Sequence, residues 1–549
     1  MESIDLLITH ANVLTMDESN RIAGSLAVTN GRISAIWYHP EPPYHEVNVT
    51  SRTKILNLKG ATLIPGFIET HNHLLQCGYI KGSIDCGILR IKTISGLLRD
   101  IEEKAATTPA GQWIQGFGYD DTLLEDMRHP TRFDLDKVSP DHPVFITHIS
   151  GHLGVANSKA LELAGIDDCT AGSKANFEQN DKGELNGVLY ESHAMGLVQR
   201  VIPMLDEATF IKQLGEAAQD YIAQGITTNT DAAIPDLTTL NIMLKAAELG
   251  LLPMRMQLMI MHGLLTSKGA YAGYDAKRLD DEIRSRSNGQ ARLDSAKMFQ
   301  DGSIQGLTGA LREPYYCNDN LRGELFHEQT AFNEEVADLH KRGFRIAIHG
   351  NGDRAIGSIL DAYEYALTID PRVDHRHRIE HVQTATNEDL DRMQQLGVAG
   401  SFFINHVYYW GERHDRIFLG PERAKRISPL RDALDRRLLF TLHSDCPITP
   451  ISPLFLIWAA VNRMTTEGRT LGPDQKIDAL SALKAMTIEG AKLNFQEKEV
   501  GSIEVGKWAD FAVLDEDPLR VNPLDIKDIS VLYTIVGGQI KYENVKIKV

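Results

Sequence analysis

The chain has 549 residues, too many for one ordinary domain but suited to a large barrel with a satellite domain. Hydrophobic residues make up 42% and charged residues 24%, an ordinary balance for a soluble globular protein, and the formal net charge of −17 argues against nucleic-acid or anionic-membrane partners. The five cysteines are odd in number and widely spaced, so they suggest no disulfide framework. The opening residues lack the basic and apolar regions of a signal peptide, and no apolar run is long enough to span a bilayer. A cytoplasmic protein is the expectation.

In chain order, residues 1–64 read as strands and turns, with Asn30-Gly31 between two apolar runs as a hairpin signal. Residues 487–549 have the same texture, with apolar runs at 511–514 and 531–536 and a turn at Gly537-Gly538. Neither end has enough strands to stand alone, so the two ends are expected to share one small β-sandwich domain. Residues 65–486 read differently. Strands are predicted at the His71 segment, 226–231, 254–260, 292–300, 345–348, 378–380, 398–404 and 438–442. Amphipathic helices lie between most of them, several stopped by a glycine such as Gly225, Gly250, Gly343 or Gly397. Eight such units predict an α/β fold, a closed (β/α)8 TIM-like barrel with its chemistry at the carboxyl ends of the strands. Residues 74–206 are far too long for one βα loop. They are expected to form an insertion over the carboxyl-end face, with a strand at 143–147 and a helix at 159–164.

His71 and His73 lie two apart, so on a strand both imidazoles leave one face and can grip one divalent cation. Imidazole suits zinc, iron, nickel and copper, and carboxylate partners extend the choice to manganese. On its own a His-x-His is more often just two histidines at a strand end. The other polar strand-end residues alter that balance: Lys297, His349, His381 and Asp445.

This order strongly resembles the amidohydrolase superfamily, and within it the YtcJ-like group, also called amidohydrolase family 3, which includes N-substituted formamide deformylases. The matching stretches are Pro65-Gly66-Phe67-Ile68-Glu69-Thr70-His71-Asn72-His73, Lys297-Met298-Phe299-Gln300-Asp301-Gly302-Ser303, His349-Gly350-Asn351-Gly352-Asp353, Arg378-Ile379-Glu380-His381 and Ser444-Asp445. Ser150-Gly151-His152 and the closing Gly506-Lys507-Trp508-Ala509-Asp510-Phe511 also look typical of it.

The resemblance implies a metal-dependent hydrolase that cleaves a non-peptide C–N bond by metal-activated hydroxide. His71, His73 and Asp445 would hold one metal, and His349 and His381 a second. Lys297 would bridge both as a carbamate, since a bare ammonium cannot ligate a cation and a buried amine can take up carbon dioxide. Asp445 would also take the proton from water and pass it to the leaving nitrogen. The cofactor is a divalent metal, zinc by expectation, one or two per chain. Glu191 could approach the metals or bind substrate, His152 could bind the substrate carbonyl, and Asp301 could orient a ligand or simply sit in a turn. His262, His406 and His443 are read as packing or supporting groups. The expected partner is a small-molecule substrate, with no nucleic acid and no membrane, and a homodimer is left open. Two rivals stand beside this reading. One is a deaminase of the same superfamily, which usually has a glutamate three residues after the fifth-strand histidine, where this chain has Gly352. The other is a non-enzymatic regulator that keeps the barrel.

Overall fold

The computed structural model describes residues 3–87, 90–151, 153–167, 176–203 and 205–546. Its centre is an eight-stranded, all-parallel sheet in sequence order. The strands are β1 (Phe67–Asn72), β2 (Ile226–Ile234), β3 (Arg255–Met261), β4 (Ala291–Phe299), β5 (Ile346–Gly350), β6 (Arg378–His381), β7 (Ala399–Phe402) and β8 (Phe440–Leu442). Backbone pairing joins every neighbour from β1 to β8. The first and last strands are tied by other means. Thr70 and Thr441 share a 2.8 Å hydroxyl contact, and the Ser444 N–H donates to Glu69 Oε1 at 3.2 Å. Beyond the strand ends, the His73 N–H donates to the Cys446 carbonyl at 2.8 Å. These links bring the end of β8, with Asp445, against the end of β1, with His71 and His73.

The helices between strands have local causes. Asn387–Leu396 starts with a capping box in which Thr386 and Asp389 bond reciprocally, and ends at Gly397, whose φ of 70° is the left-handed conformation a glycine C-cap supplies. Its Leu390 and Met393 face inward at helical spacing. Leu237–Glu248 and Ala276–Arg286 are likewise opened by Asp236 and Asp275, each accepting a backbone N–H three residues on.

The chain ends form two further sheets, one from the amino-terminal end alone and one from both ends. One has four strands in the order Arg32–Trp37, Ser25–Thr29, Leu6–Thr9, Lys54–Asn57. The other has six, in the order Gln539–Glu543, Val531–Val536, Phe511–Leu514, Thr62–Pro65, Asn12–Leu14, Ile22–Ala23. Leu6, Ile8, Leu26 and Ile33 of the first share one buried core with Val13, Phe511, Val513 and Ile535 of the second. At the hairpin, Asn30 and Gly31 both have positive φ, 52° and 74°, as a two-residue type I′ turn requires. The strand texture at the carboxyl end begins only at Phe511. Residues Ile488–Leu493 are helical, and Ala491 packs with Ile68 of β1.

Residues 76–213 form a compact unit of their own. It carries a six-stranded sheet that includes Ile114–Tyr119, Val144–His148 and Leu185–Tyr190, flanked by helices such as Ile94–Thr107 and Arg132–Val138. Among the described residues no helix is long and apolar enough to cross a membrane.

The shared sandwich core makes a prediction. Deleting residues 500–549 removes three strands of the six-stranded sheet and the Phe511, Val513 and Ile535 side chains from the common core. The truncated protein is expected to melt earlier and to lose hydrogen-exchange protection over residues 5–60. Unchanged melting with unchanged protection there would contradict this.

Candidate metal centre

His71 is buried on β1, and His73 stands one residue past the strand end. Their Nε2 atoms lie 3.4 and 3.2 Å from the same atom, Asp445 Oδ1. The three residues offer ligand atoms that all fall within 4.8 Å of one another. The other nitrogen of His71, Nδ1, is 2.5 Å from Glu380 Oε2. An ionised carboxylate only accepts, so Nδ1 must donate, and in the neutral ring Nε2 then carries a lone pair. That lone pair faces a carboxylate oxygen, and Asp445 Oδ1 has no hydrogen-bond partner among the described residues. Two acceptors held this close need a cation or a proton between them. The set therefore fits a divalent metal bound by two imidazoles and a carboxylate.

The nearby groups are tuned by burial and charge. Burial opposes ionisation of Asp445, but the two histidines and His381 hold its carboxyl well below the usual range. Lys297 is fully buried on β4 with Nζ 4.8 Å from the Phe299 ring centroid and no hydrogen-bond partner among the described residues. Burial lowers its pKa to about 8, against the pull of Glu380 and Asp445. His349, at the end of β5, is pushed down to about 3 by burial and by the Lys297 charge. His381, at the end of β6, is held well below the usual imidazole value by burial and His349. Both imidazoles are thus neutral at neutral pH, the form a metal needs. Their ring centroids are 4.4 Å apart.

Each of these two histidines has one nitrogen engaged. His381 Nδ1 meets His443 Nε2 at 3.0 Å, and His443 Nδ1 meets Ser401 Oγ at 2.8 Å. His443 thus orients His381 and leaves its Nε2 for a ligand. His349 Nε2 donates to the Gly302 carbonyl at 3.1 Å, which leaves Nδ1. The backbone is strained at the same strand ends. His381, Val382 and Asp445 have φ of 73°, 49° and 54°, conformations that cost about 1–3 kcal/mol each in residues other than glycine.

The remaining candidates fall elsewhere. Asp301 is fully buried, and its two oxygens accept from three backbone N–H groups, Ala310 and Gly352 at 2.8 Å and Asn351 at 3.0 Å. It is spent on pinning the loop after β4 to the loop after β5, the one that carries Asn351 against His349. Burial pushes its carboxyl up to about 7, against those three donors. Asp301→Ala would leave three buried donors without an acceptor. Each costs about 1–3 kcal/mol, so a loss of at least about 2 kcal/mol in denaturant unfolding is expected; a change within 0.5 kcal/mol, about the effect of an ordinary surface substitution, would contradict the pinning role. Glu191 opens the helix Glu191–Gln199, and its side chain lies outside the described atoms. His152 lies outside the described residues.

Asp120, Asp121 and His148 of the 76–213 unit also converge. Here the Ser150 N–H donates to His148 Nδ1 at 3.1 Å, so in the neutral ring the proton sits on Nε2, 3.2 Å from Asp121 Oδ1. In that tautomer neither nitrogen of the ring offers a free lone pair to a cation.

Sequence reasoning left Glu380 and Arg378 without a role. The available signal was two charged residues two apart on a strand, hence on one face, directly before His381.

The amidohydrolase family model matches residues 54–542. The N-substituted formamide deformylase of Arthrobacter pascens is 30% identical over 545 residues, covering 98% of each chain. The protein LONG AFTER FAR-RED 3 of Arabidopsis thaliana is 28% identical over 558 residues, covering 98% of this chain and 91% of its own. Among solved structures, an uncharacterized metal-dependent hydrolase from Pyrococcus horikoshii OT3 superposes with a TM-score of 0.73 at 23% identity, covering 94% of this chain and 99% of its own.

Proposed function

We propose that this chain, which belongs to the amidohydrolase family, hydrolyses a non-peptide C–N bond in an amide, an N-substituted formamide or a cyclic imide. The observation that carries the reading is the convergence of His71, His73 and Asp445 on one point, with an unpartnered Lys297 amine among neutral histidines beside it. His71, His73 and Asp445 would hold one divalent metal, with His349 and His381 holding a second. Lys297 would join the two as a carbamate. Two oxygens from one side chain suit that place, and a pKa near 8 leaves part of the amine free to capture carbon dioxide. Zinc is the metal this histidine-rich set suits best.

When bound, such metals polarise a carbonyl and bring the pKa of water towards neutrality. The chain's own part follows from the positions of its groups. Asp445 is ionised, borders both histidines, and has an oxygen with no competing donor, so it can accept the proton of an attacking water. It then delivers that proton to the departing nitrogen. His443 keeps His381 in the orientation that presents a lone pair. The formamide deformylase relative, matched end to end, supports the C–N class.

The deaminase reading meets a steric obstacle. At Gly352 a Cβ would lie 1.9 Å from the Ala310 carbonyl oxygen, so this backbone has no room for a side chain there. A regulator without activity has no need for the six candidate ligands, all of which are present.

The test is a hydrolysis screen of the zinc-loaded protein over N-formyl amines, N-acyl amino acids and cyclic imides, following amine or acid release. Aminopurine and aminopyrimidine nucleosides would run alongside, following ammonia. Turnover in the first group supports the reading. Ammonia release from the second group alone would replace it with the deaminase.

A further inference from the structure

The barrel interior holds a line of buried charge that the proposed chemistry does not use. Asp294 lies on β4, Arg345 directly before β5, and Arg378 and Glu380 on β6. Arg378 and Glu380 have no solvent exposure, and the other two have under a tenth. Arg345 and Arg378 both reach Asp294, Arg378 at 3.1 Å through Nη2. Arg378 Nε donates to Glu380 Oε1 at 2.5 Å, and its Nη2 also reaches the Thr70 carbonyl at 3.2 Å. The line ends at His71, where Glu380 Oε2 meets Nδ1 at 2.5 Å.

A buried ion network can be purely structural, and often contributes little net stability. The way Glu380 divides its oxygens argues for more. A carboxylate paired only with arginine tends to accept in a two-pronged fashion. Here one oxygen goes to the guanidinium and the other to an imidazole whose far nitrogen points at Asp445 Oδ1, 3.4 Å away. Because the carboxylate cannot donate, His71 is confined to the tautomer with the proton on Nδ1. Arg378 holds Glu380 in place and is itself anchored by Asp294.

We propose that Glu380 is a positioning residue for the metal centre: it locks His71 in the ligating tautomer and lends its charge to the ring, with Arg378 and Asp294 holding it there. The proposal rests on the reading of His71 as a metal ligand. Partners of this kind typically change metal affinity about 10- to 100-fold when removed.

The test uses the full chain and zinc alone, with affinity measured by competition against a chromophoric chelator. Glu380→Gln keeps an oxygen that can accept from Nδ1 but loses the charge, and is expected to weaken zinc binding about tenfold. Glu380→Ala removes both and is expected to weaken it about 100-fold. His71→Ala is the control for the underlying reading. If His71→Ala binds zinc as the parent does, His71 is not a ligand and both readings fall. If His71→Ala loses zinc while folded Glu380→Gln and Glu380→Ala keep the parent affinity, only the role of Glu380 falls. Should either Glu380 variant fail to fold, 15N-histidine NMR of the zinc-loaded parent decides. The expected result is a His71 signal, assigned by its loss in His71→Ala, with Nδ1 protonated and Nε2 bound to zinc. A His71 that binds zinc through Nδ1 instead would overturn the proposal.

Discussion

Asp445→Asn is expected to fold, to keep at least one metal, and to lose about 10² to 10⁴ in kcat, the range that general acid–base catalysis spans. The amide preserves size and one ligating oxygen but cannot take a proton from water. Asp445 Oδ1 is the atom both His71 and His73 approach, so the substitution leaves a ligand in place while removing the base. KM is expected to change far less, because the lost interaction belongs mainly to the transition state. Metal content, melting temperature and steady-state kinetics together separate the outcomes. A metal-replete variant running within a few-fold of the parent rate would take the proton transfer away from Asp445.

Lys297→Ala is expected to lose part or all of one metal's occupancy. Activity should fall by at least about 10²-fold, the scale reached when a reacting group is misplaced by about 1 Å. The side chain is fully buried and no described residue satisfies its amine, so its removal leaves a cavity where the lysine chain stood. A short carboxylic acid added in solution could enter that cavity and offer two oxygens in its place. Partial recovery of activity with formate or acetate, in the variant and not in the parent, is the expected signature. Two metals at full occupancy in Lys297→Ala would place the bridge elsewhere, and Glu191 is the first alternative to substitute.

The barrel was legible because its signals are local. Each strand is a short apolar run that ends in a polar or ionisable residue, and helices such as Asn387–Leu396 carry both a cap and a glycine stop in the sequence itself. The His71, His73 and Asp445 set was implied by the family resemblance, and each member falls at or just past a strand end, where a barrel of this kind does its chemistry. The parts that were not legible depend on who meets whom. Residues Ile488–Leu493 read together with the strands after them, yet they form a helix whose Ala491 packs with Ile68. Asp301 is followed by Gly-Ser and reads as a turn or as a residue that orients a ligand. Its true partners, the N–H groups of Ala310, Asn351 and Gly352, are brought to it by the adjacency of β4 and β5. Glu380 is similar: nothing near it in sequence reveals that His71, on a strand 309 positions earlier, supplies its second hydrogen bond. Barrel interiors are usually filled by branched apolar side chains, so a fully buried Arg378–Glu380 pair runs against what a strand pattern predicts.

The most direct test of a metal-dependent hydrolase built on this centre is a metal titration read by hydrolysis. The protein would be stripped with a chelator, shown to remain folded, and titrated with zinc while turnover of an N-formyl amine is followed. The account predicts no turnover in the stripped protein and a return that saturates at one or two zinc ions per chain, with His71→Ala and Asp445→Ala binding less zinc over the same range. Full turnover in the stripped protein, or zinc bound at parent stoichiometry in both variants, would contradict it.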